Sequence, residues 1–219
     1  MPVVLPERVS QLRDAVILPR SFYDRDPVTV ARELLGKLLI RRTGRKRLAG
    51  RIVECEAYLG ADDPAAHAYS GRTPRNAVLF GPPGHAYVYF IYGKHYCLNV
   101  SCVKDGNAGG VLLRAMEPVA GVEAMAAARG LALGSPARSS QLRLVSSGPG
   151  RISEALGVTR ERDNAKDVTS LRSDLYFADD GYRSEQILAT PRVGITKAVD
   201  QPLRFTIAGN PYVSGRRAR

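Results

Sequence analysis

The chain has no tryptophan, and only three cysteines, three histidines and three methionines in 219 residues. Cys55, Cys97 and Cys102 lie in apolar, strand-like runs with no Cys-x-x-Cys pair. An odd count at such spacing speaks against both a disulfide framework and a zinc site, so they read as small buried hydrophobes. His67, His85 and His95 are too scattered to suggest a ligand set, and neither a catalytic metal nor a cofactor is expected. No apolar run reaches the roughly 18 residues of a membrane-spanning helix. The opening MPVVLPERVSQLRDAVILPR lacks the basic region and apolar core of a secretory signal. The protein is therefore expected in the cytoplasm, without a membrane partner. Repeats and low-complexity tracts are missing too, and no shift in composition marks a boundary. One domain over 1–219 is expected, with an opening arm over 1–20 and a basic tail over 213–219.

What is abundant is positive charge. Lysine and arginine number 32 against 21 aspartates and glutamates, a formal charge of +11. Clustered cations gain free energy by releasing counterions from phosphate backbones, so a polyanion is the expected partner. Lys37, Arg41, Arg42, Arg45, Lys46, Arg47, Arg72 and Arg75 are the candidate phosphate contacts, although each alone fits a solvated surface charge as well.

Asp26 before Pro27 reads as an N-cap and first helical position, with Val30, Leu34 and Leu35 as the apolar side and Gly36 as the stop. Residues 37–41 resemble a strand, and TGRKR turns the chain into GRIVECEAYLGADDPAAH (50–67). Alternation over 51–58 predicts Val53, Cys55, Ala57 and Leu59 on a packed face and Ile52, Glu54, Glu56 and Tyr58 on the other. A loop rich in Gly and Pro from Gly60 to Pro83 is too long for a passive connector. Three apolar runs follow at 86–92, 95–103 and 109–118, separated by hairpin signals, and they predict an antiparallel sheet core. Helices are expected over 121–130 and over 146–157, a loop over 158–172, and further strands in DLYFA, ILATPRVGI and LRFTI.

Several polar residues interrupt these runs. Arg114 in VLLRAM needs a carboxylate, for which Glu56 is a candidate, or an outlet to water on an edge strand. Asn99 in YCLNVSC must find hydrogen bonds, to backbone or to a ligand. Tyr58, Tyr87, Tyr89, Phe90, Tyr92 and Tyr96 gather in one stretch, either as cross-strand core pairs or as a stack for a planar base. Tyr92 stands before Gly93 at a hairpin tip, where an exposed aromatic can wedge between base pairs.

GRIVECEAYLGADDPAAH, GRTPRN (71–76), YVYFIYG (87–93), CLNVS (97–101), VLLRAMEP (111–118), SGPG (147–150) and PRVGI (191–195) together resemble the alkyladenine, or 3-methyladenine, DNA glycosylase family, in order, over about residues 22–214. The resemblance implies an α+β, single-domain mixed fold with a curved antiparallel sheet and surrounding helices. It implies a monomeric base-excision repair enzyme that flips alkylated or deaminated purines out of double-stranded DNA and hydrolyses the N-glycosidic bond. The purines implied are 3-methyladenine, 7-methylguanine, hypoxanthine and ethenoadenine. In that family's pattern Glu56 matches the general base, while Arg114 and the main chain of Val193 match groups that place the attacking water. Tyr58, His67 and Tyr89 match the base pocket, Asn99 its floor, and Tyr92 the inserted tyrosine. With no lysine placed as a nucleophile, lyase activity is not expected. Lys94, His95 and the insertion-like segment 130–145 match no motif, and Asp62 and Asp63 read as loop structure. The rival readings are a non-catalytic sensor of DNA lesions and a hydrolase of free nucleosides.

Overall fold

Asp26 accepts a hydrogen bond from the Thr29 amide, and Pro27 opens the helix behind it, as the cap signal predicts. The computed structural model describes Leu12 and residues 14–215, so most of the expected arm and the end of the expected tail lie outside the described residues. In chain order the elements are β1 (Val16–Ile17), α1 (Arg20–Tyr23), α2 (Pro27–Leu34), β2 (Leu38–Thr43), β3 (Lys46–Tyr58), β4 (Ala86–Ile91), β5 (His95–Ser101) and β6 (Gly110–Ala120). Then come α3 (Val122–Ala128), α4 (Ser139–Ser146), α5 (Pro149–Ala155), α6 (Arg160–Asp163), β7 (Leu175–Asp179), β8 (Ile187–Thr190) and β9 (Arg204–Ile207).

The strands form one curled, nine-stranded sheet in the order β1-β7-β2-β3-β6-β5-β4, with β9 on β3 and β8 on β9, and every ladder is antiparallel. The fold is mixed α+β, as the family resemblance implies. One face of β3, β5 and β6 carries Val53, Cys55, Ala57, Leu98, Val100 and Leu113, which pack on Val30 and Leu34 of α2, Met125 of α3, Leu142 and Val145 of α4 and Ile152 of α5. That face is the core; the opposite one is left for polar side chains. No described helix is long and apolar enough to cross a membrane.

β3 departs from simple alternation. Its first half, through Arg51, pairs with β2, whereas Glu54–Glu56 pair with β9, and the ladder to β6 shifts register between Ile52 and Cys55. A bulge of this kind bends the strand and re-aims side chains. It turns Ile52 into the core beside Val53, against the expected alternation. It also buries Glu54 and Glu56 completely, between β6 and β9.

Other expectations need correction. The segment 130–145 is no mere insertion, because α4 fills its second half and buries Leu142 and Val145. Within 158–172, α6 buries Asp163. Residues 191–195 are loop, the strand ending at Thr190. Lys37 is bound to Asp179 at 2.5 Å, and Arg41 is wholly buried against Asp163 at 2.7 Å and Asp174 at 3.1 Å, so neither is free for phosphate. Arg42 and Arg47 spend guanidinium donors on backbone carbonyls, whereas Arg45, Lys46, Arg72 and Arg75 are exposed.

Gly60 ends the run out of β3 at a φ of +74°. A Cβ there would strike the carbonyl oxygen of Ala108. Left-handed backbone and overpacking each carry a cost, so Gly60→Ala is expected to lose about 2–4 kcal/mol of stability, read by urea denaturation.

Candidate active site

The polar face of β3 to β6 forms the wall of a cavity of about 680 Å³ whose lining includes Tyr58, His67, Tyr87, Tyr89, Tyr92, Asn99, Arg114 and Val193. Residues far apart in the chain thus meet, with the Glu56 carboxylate behind them. Tyr87 and Tyr89 share a strand face with ring centroids 5.5 Å apart, and His67 stands edge-on to Tyr89 at 4.6 Å. The His67 ring nitrogen Nδ1 lies 2.9 Å from the Tyr87 hydroxyl. Burial, followed by the nearby Arg75 charge, pushes the His67 pKa below its ordinary value of 6.5, which keeps the ring neutral at pH 7. Asn99 donates to the Tyr87 carbonyl at 3.1 Å, the backbone bond that a buried amide was expected to find, and it still borders the cavity.

Glu56 is fully buried and heavily supported. Its Oε1 accepts the Val193 amide hydrogen at 2.8 Å and lies 3.2 Å from Arg114 Nη1, while its Oε2 accepts the Tyr58 hydroxyl at 2.9 Å. Burial, then the adjacent Glu56 charge, raises the Tyr58 pKa far above its usual range, so this hydroxyl is a permanent donor. β6 lies inside the sheet, which removes the edge-strand reading of Arg114.

Arg114 is shared between two carboxylates. Its Nε donates to Glu54 Oε1 at 2.9 Å, and Glu54 also accepts from Arg204 Nε at 2.7 Å, the Ser214 amide at 2.6 Å and the Ser214 hydroxyl at 2.9 Å. Burial alone would raise the Glu54 pKa; Arg114 and Arg204 outweigh it and hold the carboxyl below 4.5. Glu54 therefore remains an anion that orients Arg114. Sequence reasoning assigned it no role, because Arg204 and Ser214 come from the far end of the chain.

A second buried pair was also missed. Arg192 donates through both terminal nitrogens to Asp63, and to the Ala57 carbonyl at 3.0 Å, with its guanidinium 4.6 Å from the Tyr58 ring centroid. Asp63 also accepts from the amides of Leu59 and Ala65. This clamp fixes the loop carrying Val193, whose amide reaches Glu56. Both residues stand inside quoted motifs, which was the only available signal.

Tyr92 is the outlier of the site, 82% exposed at the tip of the β4–β5 hairpin. It has a φ of 53° and Gly93 a φ of 62°, consecutive left-handed residues of the sort that tight hairpins require. A tyrosine is an uncommon choice there.

A buried, backbone-anchored carboxylate at the end of an aromatic cavity suits a hydrolase acting on a planar ring system. The sequence matches the Methylpurine-DNA glycosylase (MPG) family over residues 21–211. It is 64% identical over 208 residues to a Koribacter versatilis protein, covering 95% of this chain and 98% of that one. A Burkholderia lata protein is 48% identical over 200 residues, 91% of each chain, and one from Methanoculleus marisnigri is 48% identical over 205 residues, 91% of this chain and 99% of that one. All three are provisionally named 3-methyladenine DNA glycosylases. The chain belongs to the methylpurine-DNA glycosylase family. It is accordingly an enzyme of DNA repair, a hydrolase of N-glycosyl bonds.

Proposed function

We propose that the protein flips 3-methyladenine, 7-methylguanine, hypoxanthine and 1,N6-ethenoadenine out of duplex DNA and releases each with an activated water, leaving an abasic site. The observation that carries this reading is the set of bonds around Glu56. Its Oε1 is fixed by the Val193 amide and Arg114, and Glu54, the other carboxylate on Arg114, is engaged by three donor residues. Glu56 then takes a proton from water as the sugar develops positive charge, which the same carboxylate stabilises. Arg114 Nη1 lies 3.5 Å from the Val193 carbonyl oxygen, and these two groups would orient a water that sits beside them and bonds to both.

Tyr58, His67 and Tyr89 hold the extruded base, and the Asn99 side-chain amide at the cavity lining limits which exocyclic groups fit. Undamaged guanine is disfavoured because its exocyclic amine crowds the Asn99 side chain at that floor, whereas 7-methylguanine, which carries the same amine, is released because its cationic ring is the better leaving group. Base release from lesion-bearing duplexes tests the assignment. Trapping of a covalent adduct by borohydride would overturn its water-only chemistry. Tight binding to damaged duplex with no release of any base would favour a lesion sensor instead.

Tyr92 inserts into the gap left by the extruded base and recovers part of the few kcal/mol lost in unstacking. Since left-handed backbone costs a non-glycine residue about 1–2 kcal/mol and Asn tolerates it well, Tyr92→Asn is expected to stabilise the fold by roughly 0.5–1 kcal/mol. Release from duplex should nevertheless fall about tenfold or more, an outcome that paired denaturation and excision assays would separate from a folding defect.

A further inference from the structure

When a purine leaves DNA by hydrolysis, the C1′–N bond breaks with its electron pair going to the base. Water adds to C1′ and its proton goes to the general base. A cationic ring such as 7-methylguanine departs neutral, whereas a neutral ring such as hypoxanthine departs as an anion that solvent then protonates. Fixed charge at the pocket wall therefore acts on the two classes in opposite directions.

Arg75 supplies such a charge. Its neighbour Asn76 is buried, donates to the carbonyls of His67 at 2.8 Å and Gly71 at 3.0 Å, and accepts from the Thr73 amide at 2.7 Å. This fastens the 71–76 loop to the wall bearing His67. The Arg75 guanidinium consequently lies 5.9 Å from the Tyr89 ring centroid, at the cavity lining. No ion pair among the described residues includes Arg75, whereas Arg114 and Arg192 are both matched by buried carboxylates. His67, neutral beside it, adds no charge.

We propose that Arg75 is a specificity-determining residue that favours neutral purine lesions over cationic ones. Its guanidinium occupies the electron-rich Tyr89 ring that a cationic base would otherwise use. The same charge stabilises the negative charge gathering on a departing neutral purine. The proposal rests on the glycosylase reading above.

The test compares kcat/KM for 7-methylguanine and hypoxanthine release from duplexes of one sequence, corrected for spontaneous loss, in wild type, Arg75→Met and Arg75→Lys. In Arg75→Met the ratio should move toward 7-methylguanine by about tenfold, with hypoxanthine release falling and 7-methylguanine release holding or rising. Arg75→Lys, which keeps the charge, should stay near the wild-type ratio. A ratio unchanged in Arg75→Met, with both substrates falling together, would overturn the proposal and leave Arg75 a phosphate contact. Wild type that releases neither base would overturn the glycosylase reading, and this proposal with it.

Discussion

Glu56→Gln is expected to lower base release by about 10³-fold or more while leaving affinity for damaged duplex within a few-fold of wild type. The hydrogen-bond geometry explains why binding should survive. A glutamine can direct its carbonyl oxygen at the Val193 amide and Arg114, where Glu56 Oε1 stands, and its amide nitrogen at the Tyr58 hydroxyl oxygen, which can accept. Arg114 keeps Glu54 at 2.9 Å, so no buried cation is orphaned. Only the ability to take a proton is lost. Release at near wild-type rate by the variant would remove Glu56 from the chemistry. Binding should be measured at matched salt, because a protein of this charge loses DNA affinity steeply as salt rises.

Asp63→Asn should have the largest effect on stability, about 3–5 kcal/mol, because it leaves the Arg192 guanidinium buried without its counter-charge. The side chains of this pair are wholly inaccessible, which excludes solvent screening as a rescue. Release should drop as well, since the Val193 amide is held against Glu56 by the loop that Arg192 anchors. Replacing both partners together, Asp63→Leu with Arg192→Met, should recover much of the stability but not the activity, a combination that separates positioning from folding. The pair also predicts an acid response. Burial would raise the Asp63 pKa, but Arg192 and two backbone amides hold it below 3.8. A depressed carboxyl stabilises the fold fully above its unfolded pKa and loses that contribution as pH falls through the folded value. Acid unfolding of wild type below pH 3.8 should therefore be steeper than that of the double variant.

The readable parts of the fold were those governed by local chemistry. Asp26 and Pro27 announce α2 through cap geometry alone, and β4, β5 and β6 follow from β-branched and aromatic runs parted by turn residues. Ion pairing of Arg114 could be anticipated because a guanidinium in an apolar strand has few options, although Glu54 as its closer partner could not. α4 escaped notice because Ser139–Ser146 is short and follows a Gly- and Pro-containing stretch that reads as a break, although Leu142 and Val145 stand at helical spacing and dock on the core. The cations at 37 and 41 misled because charge on a sequence looks alike whether it faces water or a buried carboxylate.

The sequence by itself determined the class of fold, the aromatic and carboxylate inventory of the site and, through ordered motifs, the family. Those properties depend on residue type and short-range spacing, which folding does not alter. Only the tertiary structure decided which partners each of the two carboxylates takes. That choice turns on the bulge in β3, where the strand leaves β2 for β9 and brings Arg204 onto Glu54, and on the loop that sets Val193 against Glu56. Two glutamates two residues apart are chemically equal in the chain; neighbours contributed from about 60 to 160 positions away make Glu54 a structural anion and set Glu56 against the Val193 amide, as the proposed general base requires.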